Sequence, residues 1–197
     1  MNLNVKEWKE FIVGDIFNCS TTSALDINDA IDGDIPYITR SALNNGVTDY
    51  YGNTEKKIKG NCITIGAEGT LAFYQPNDFI PGVKIYTIRH NNLNPINAMF
   101  ILTLLNSCAY LYSYGRARIL EKLKQETIKL PIDSNGSIDW QFMEDYIKSL
   151  NYKPISTTNK LGVQISYSWL DWFKKYKLKT IIIINDLYYI FQTLIRL

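Results

Sequence analysis

The sequence predicts an α+β fold, a mixed and mostly antiparallel sheet with packed helices, followed by a helical C-terminal tail. Three observations lead there. Short β-branched and aromatic runs separated by glycine-containing turns occupy the first 90 residues. The hydrophobic period changes from strand-like to helical after Asn94-Pro95. The composition then shifts after Leu150. A chain of 197 residues that is 46% hydrophobic and 20% charged can bury one core and is too apolar to stay disordered. The organisation therefore reads as one domain over 1–150 and a linker with an amphipathic tail over 151–197.

In chain order, Trp8 to Val13 alternates as a strand does, and Gly14-Asp15 breaks it before Ile16-Phe17. From Cys19 to Asp34 the chain is polar with little periodicity, which predicts a long surface loop. Pro36 to Arg40 reads as a short strand, with turns at Asn44-Asn45-Gly46 and Tyr50-Tyr51-Gly52-Asn53. Cys62 to Ile65, Leu71 to Tyr74 and Val83 to Arg89 are further strands. Asn94 caps a helix with proline at its first position, and Ile101, Leu104, Leu105, Cys108 and Tyr112 carry an amphipathic face as far as Gly115. A short helix around Ile119 to Lys124 and a strand from Thr127 to Pro131 follow. Ser134 to Ser137 then turns the chain, and Asp139 caps a helix with Met143, Tyr146, Ile147 and Leu150 on one face. In the tail, Trp169, Trp172, Phe173 and Tyr176, then Leu187, Ile190, Phe191 and Leu194, recur at helical spacing and suggest a docking element.

Charge is divided unevenly. Residues 1–150 hold 14 Lys and Arg against 17 Asp and Glu, a net of −3, whereas 151–197 hold seven against Asp171 and Asp186, a net of +5. Averaged charge in the domain does not attract DNA, so a nucleic-acid role there needs local basic patches. Three dispersed cysteines, Cys19, Cys62 and Cys108, and one histidine, His90, exclude the usual zinc constellations. An odd cysteine count without a cleavable signal points to buried, reduced thiols in a cytoplasm. His90, in a polar turn-rich stretch, is expected at the surface. Asn185 and Asp186 interrupt the run from Leu178 to Leu197, which argues against a membrane span.

No catalytic motif stands out. Gly66-Ala67-Glu68-Gly69 lacks the lysine and hydroxyl residue of a phosphate loop, and Asn94-Pro95-Ile96-Asn97 is not the Asn/Asp-Pro-Pro-Tyr/Phe loop of an adenine methyltransferase. Glu55-Lys56-Lys57 with Asp49 upstream is the one hint of a metal-dependent nuclease, against the plainer reading of a solvated charged turn. Binding features are richer. Tyr114, Arg116 and Arg118, continuing through Lys122 and Lys124, place four cations beside aromatic side chains just after a helix. Lys56, Lys57 and Lys59 form a second cluster. Guanidinium forks suit phosphates and guanine edges. Arg40 and Ser41, with Tyr74 and Gln75, put hydrogen-bonding groups at strand ends where a base edge could be reached. Phe73 between them is expected in the core.

Taken in order, Pro36-Tyr37-Ile38-Thr39-Arg40-Ser41, Ile63 to Gly69, Ala72-Phe73-Tyr74-Gln75-Pro76, Tyr114 to Arg118 and Ile128 to Asp133 resemble the target-recognition domain of restriction-modification specificity subunits. The likeness runs from about Trp8 to Leu150, and it is carried by the ordered series rather than by a single motif. It implies a non-catalytic subunit that binds one half of a split site in double-stranded DNA. It also implies docking to a methyltransferase subunit and, in full complexes, an endonuclease subunit. S-adenosylmethionine, magnesium and ATP would belong to those partners, and this chain would hold no cofactor. Members commonly carry two such domains in tandem, and this chain has one. Residues 151–197 match neither a second copy nor a typical spacer helix, so either a half-sized subunit acting as a homodimer or a truncated product is expected. An interaction module that keeps the fold without DNA binding is the alternative in another class.

Overall fold

The computed structural model describes residues 7–68 and 71–150; the aromatic tail lies outside the described residues. Its elements are β1 (Lys9–Ile12), α1 (Val13–Ile16), β2 (Asn18–Thr21), β3 (Asp32–Ile38), β4 (Val47–Tyr51), β5 (Cys62–Gly66), β6 (Phe73–Gln75), β7 (Ile80–Pro81), β8 (Ile85–Arg89), α2 (Pro95–Ser107), α3 (Leu120–Gln125), β9 (Thr127–Leu130) and α4 (Trp140–Ser149). The strands form three small sheets: β2-β8-β5-β6, β4-β3-β7 and the ribbon β1-β9. All pairings are antiparallel except β3 with β7, so the α+β expectation with a mixed, mostly antiparallel sheet holds.

The main core lies between the four-stranded sheet and α2 with α4. Ile63, Ile65 and Ile88 from the sheet meet Phe100, Ile101 and Leu105 of α2, and Met143 and Tyr146 of α4. Phe100 lies between Trp8 and Tyr146, with ring centroids 5.4 and 5.9 Å away. Smaller clusters around Leu25, Tyr37 and Ile80, and around Ile38, Cys62 and Phe79, join the three-stranded sheet to the rest.

Several local expectations hold. The Asn94 side chain accepts from the N–H groups of Ile96 and Asn97 while Asn97 reciprocates, and the Asp139 side chain accepts from the N–H of Phe142. Asn44, Asn45 and Gly46 all have positive φ, as their tight turn requires. Cys19 and Cys62 are buried free thiols, and Cys108 is half-buried.

Four readings are corrected. The stretch 19–34 is not one loop: Asn18–Thr21 pairs with β8, and β3 starts at Asp32. Its strand character was invisible because β2 has a single buried side chain, Cys19, and takes its definition from its partner. Tyr50 and Tyr51 end β4 rather than opening a turn. Helix α2 stops at Ser107, where the chain tightens into a 3-10 turn over Ala109–Leu111. Nor is α2 amphipathic, since every residue from Asn97 to Asn106 is buried between the sheet and α4. Among the described residues no helix is long and apolar enough to cross a membrane.

Candidate nucleic-acid interface

The four-stranded sheet divides the candidate residues between its two ends. Register pairs Asn18 with Arg89 and Cys62 with Gln75 at one end, and Gly66 with Ile85 and Thr64 with Phe73 toward the other. Five-residue β5 separates those ends by about 13 Å at roughly 3.3 Å per residue.

At the far end the turn after β5 collects cations. Glu68 forms ion pairs with Arg40 and with Lys84, the latter at 3.2 Å. The Arg118 N–H donates to the carbonyl of Ala67 at 2.5 Å, which ties the segment after α2 to the same turn. Ser113 and Arg116 exchange backbone hydrogen bonds around Tyr114-Gly115, with Gly115 at φ +82°. This tight turn pushes Tyr114 into solvent, where it is 93% exposed, and Arg116 beside it is exposed. Lys122 and Lys124 lie exposed on α3, where Lys124 packs against Gly14 of α1.

Arg118 behaves otherwise and corrects the expectation that it contacts DNA. Its side chain is 1% exposed. Nε donates to Glu126 at 2.6 Å, Nη2 pairs with the same carboxylate and reaches the carbonyl of Leu105 at 3.3 Å, and the guanidinium lies 5.1 Å from the Tyr112 ring. Tyr112 donates its hydroxyl to Glu126 at 2.8 Å. Burial, reinforced by that bond, pushes the phenol up to about 12. A buried guanidinium held this way braces the Tyr114 turn and meets no phosphate.

Gln75 is the second correction. It is 4% exposed, donates to the Asn45 carbonyl at 3.0 Å and to Thr64 Oγ1 at 2.9 Å, and accepts from Asn45 Nδ2. It locks the 44–46 turn onto β6 and cannot reach a base. Phe73 is buried, as expected. Ser41 stays at the surface loop, where its N–H donates to Thr39 Oγ1 and its Oγ accepts from the N–H of Leu43. Tyr74 is half-buried and gives its hydroxyl to Asn61 at 2.8 Å.

At the near end, Lys57 and Lys59 both face Asp78, at 3.7 and 3.1 Å. The Gly60 N–H, donating at 3.0 Å, and then the two ammonium groups hold the Asp78 carboxyl below the usual carboxylate range. Lys56 reaches Ser23 at 3.4 Å. The nuclease candidates do not share a site: Asp49 accepts from Tyr51 and from its neighbour's N–H, Glu55 from Asn53, and Lys57 goes to Asp78. Among the described residues no three metal-ligating side chains converge.

Sequence reasoning did not single out Lys84 or Arg89 and gave His90 no binding role. His90, expected at the surface, is half-buried: its ring stacks on Trp140 at 4.5 Å and meets Phe17 edge-on. Burial lowers its pKa below the ordinary 6.5. The only sequence signal for these residues was their position at the ends of an apolar strand, which is where side chains emerge from a sheet.

Residues 5–157 match the family described as Type I restriction modification DNA specificity domain. Among curated relatives, the type II restriction enzyme BgcI specificity subunit of Heyndrickxia coagulans is 26% identical over 157 residues, 78% of this chain and 46% of that one. The chain thus spans about half the length of the curated relative it matches. Two solved structures share the fold. The type I restriction-modification system S subunit from M. genitalium aligns with TM-score 0.56 at 15% identity, over 92% of this chain and 45% of that one. A chain of a type I R-M system studied for its complex assembly aligns with TM-score 0.52 at 13% identity, over 76% and 39%.

Proposed function

Because the chain belongs to the family of type I restriction modification DNA specificity domains, we propose that it reads a sequence in duplex DNA and steers a partner methyltransferase to it. In complete assemblies an endonuclease subunit would join. The family match across the whole described body carries this reading. The exposed Tyr114–Arg116 turn with Lys122 and Lys124 supports it, because tyrosine and uncommitted cations at the surface suit a phosphate backbone. Arg40, Ser41 and Tyr74 are the side chains offered to base edges, and Lys56, Lys57 and Lys59 add positive charge on the other side of the sheet. The chain works in the cytoplasm without a cofactor or catalytic centre of its own in this reading. S-adenosylmethionine, magnesium and ATP enter with the partners. A single recognition unit suits one half-site, so two copies about a two-fold axis would read a palindromic split site.

Selection from a random duplex pool, with the partner methyltransferase present, tests the proposal. An enriched sequence is the expected result. A pool that stays random would overturn it, and would leave a protein-interaction module as the surviving function.

A further inference from the structure

A cleft of about 590 Å³ opens where β2 and β8 meet the loop before β5, lined by Ile16, Asn18, Gly60, Asn61, Arg89, His90 and Asn91. None of these is a carboxylate. Three polar side chains, Asn18, Asn61 and His90, share a pattern: an acceptor is satisfied within the protein and a donor is not. Asn18 Oδ1 accepts from the Ser20 hydroxyl at 3.2 Å, and Asn61 Oδ1 from the Tyr74 hydroxyl at 2.8 Å. His90 Nδ1 accepts from the Asn92 N–H at 3.0 Å, which places the imidazole proton on Nε2. Among the described residues neither amide nitrogen nor Nε2 has an acceptor. The Arg89 guanidinium donates to the Gly60 carbonyl at 2.8 Å and to the Lys59 carbonyl, which fixes its charge among the residues lining the cleft. Lys59, next in sequence to the lining residue Gly60, is 84% exposed. Asp78, on the connection between β6 and β7, is already shared by Lys57, Lys59 and the Gly60 N–H.

Adenine and cytosine edges present donors that would need acceptors in return, and a guanine edge, though all acceptors in the major groove, carries no charge. A phosphodiester presents acceptors only and carries a negative charge. We propose that this cleft is a phosphate site, taking one backbone phosphate of duplex DNA through Asn18, Asn61, His90 and Asn91 in the field of Arg89. The DNA source rests on the function proposed above; the anion chemistry rests on the cleft alone.

His90 is the chain's only histidine, so its imidazole signals in a nuclear magnetic resonance spectrum of the full chain are unambiguous. Both inorganic phosphate and the selected duplex are expected to shift them. The double variant His90→Phe with Asn91→Ala keeps a ring against Trp140 and removes two donors. It should weaken duplex binding about tenfold or more, equally for selected and scrambled sequences, because a phosphate contact carries no sequence information. Duplex binding that leaves the His90 signals unmoved, or a loss confined to the selected sequence, overturns the phosphate site while the recognition function stands. A phosphate shift in a chain that binds no duplex keeps the anion site and overturns the recognition function. No shift with either probe overturns the site.

Discussion

Arg118 carries its positive charge where no ligand can reach it, and its replacement should therefore be felt in stability before binding. Arg118→Met leaves Glu126 without its buried partner, and removal of one member of a buried pair costs about 3–5 kcal/mol. Urea unfolding of the full chain should record that loss. Nη1 of Arg118 is buried without a hydrogen-bond partner, which places the cost toward the lower end of that range. His90 predicts a pH effect whose sign is fixed by burial. Its folded pKa lies below 6.5, so on acidification the unfolded chain takes up the proton first. Stability is untouched well above 6.5 and declines below it. His90→Phe should flatten the dependence of the urea midpoint between about pH 7.5 and 5.5. Thiol chemistry differs among the cysteines as well. Burial pushes Cys19 and Cys62 up to about 11. A maleimide at neutral pH should label Cys108 alone in the native chain and all three cysteines after denaturation. Rapid native labelling of more than one would contradict the packing of the first two.

At the scale of elements, α2 acts as the central rod. It meets the sheet through Asn106, which accepts from the Ala72 N–H at 2.6 Å and donates to the Ala72 carbonyl at 3.2 Å. Asn106→Ala strands a buried backbone pair, a loss of about 1–3 kcal/mol. Hydrogen exchange at Ala72 should quicken more than exchange elsewhere in the sheet. Elements with local grammar were legible in the sequence: the Asn94-Pro95 and Asp139 caps, the alternation into β1, and the isoleucine-rich runs of β5 and β8. Those defined by a distant partner were not. Strand β2 exposes Asn18, Ser20 and Thr21 and is a strand because β8 lies beside it. The far end of α2 was overextended because apolar residues continue past Ser107 at helical spacing while the chain turns beneath Arg118.

For the whole molecule, which of the candidate cations face solvent was only partly legible in the sequence. Charge and segment pointed to 114–124, and the structure exposes Tyr114, Arg116, Lys122 and Lys124 there. Whether a given arginine faces water or a buried glutamate depends on a residue eight positions away, and Arg116 and Arg118 look alike in sequence. Binding measured against salt should separate them. Arg116→Ala combined with Lys122→Ala and Lys124→Ala should lower the salt slope by about 0.9 for each phosphate that is no longer neutralised. Glu68→Gln should act in the opposite direction. It frees Arg40 and Lys84 from their shared carboxylate and should raise affinity for scrambled duplexes several-fold at low salt, with a smaller gain for the selected site.

Phe100 has a consequence for how the body is connected to its surroundings. Trp8 and Tyr146 lie against one phenyl ring, and β1 is zipped to β9, so the stretches of chain at the two margins of the described body leave from a common corner. A module fused at either margin would hang from nearly the same hinge point. Its reach over the duplex would then be set by tether length, with little dependence on which margin carries it.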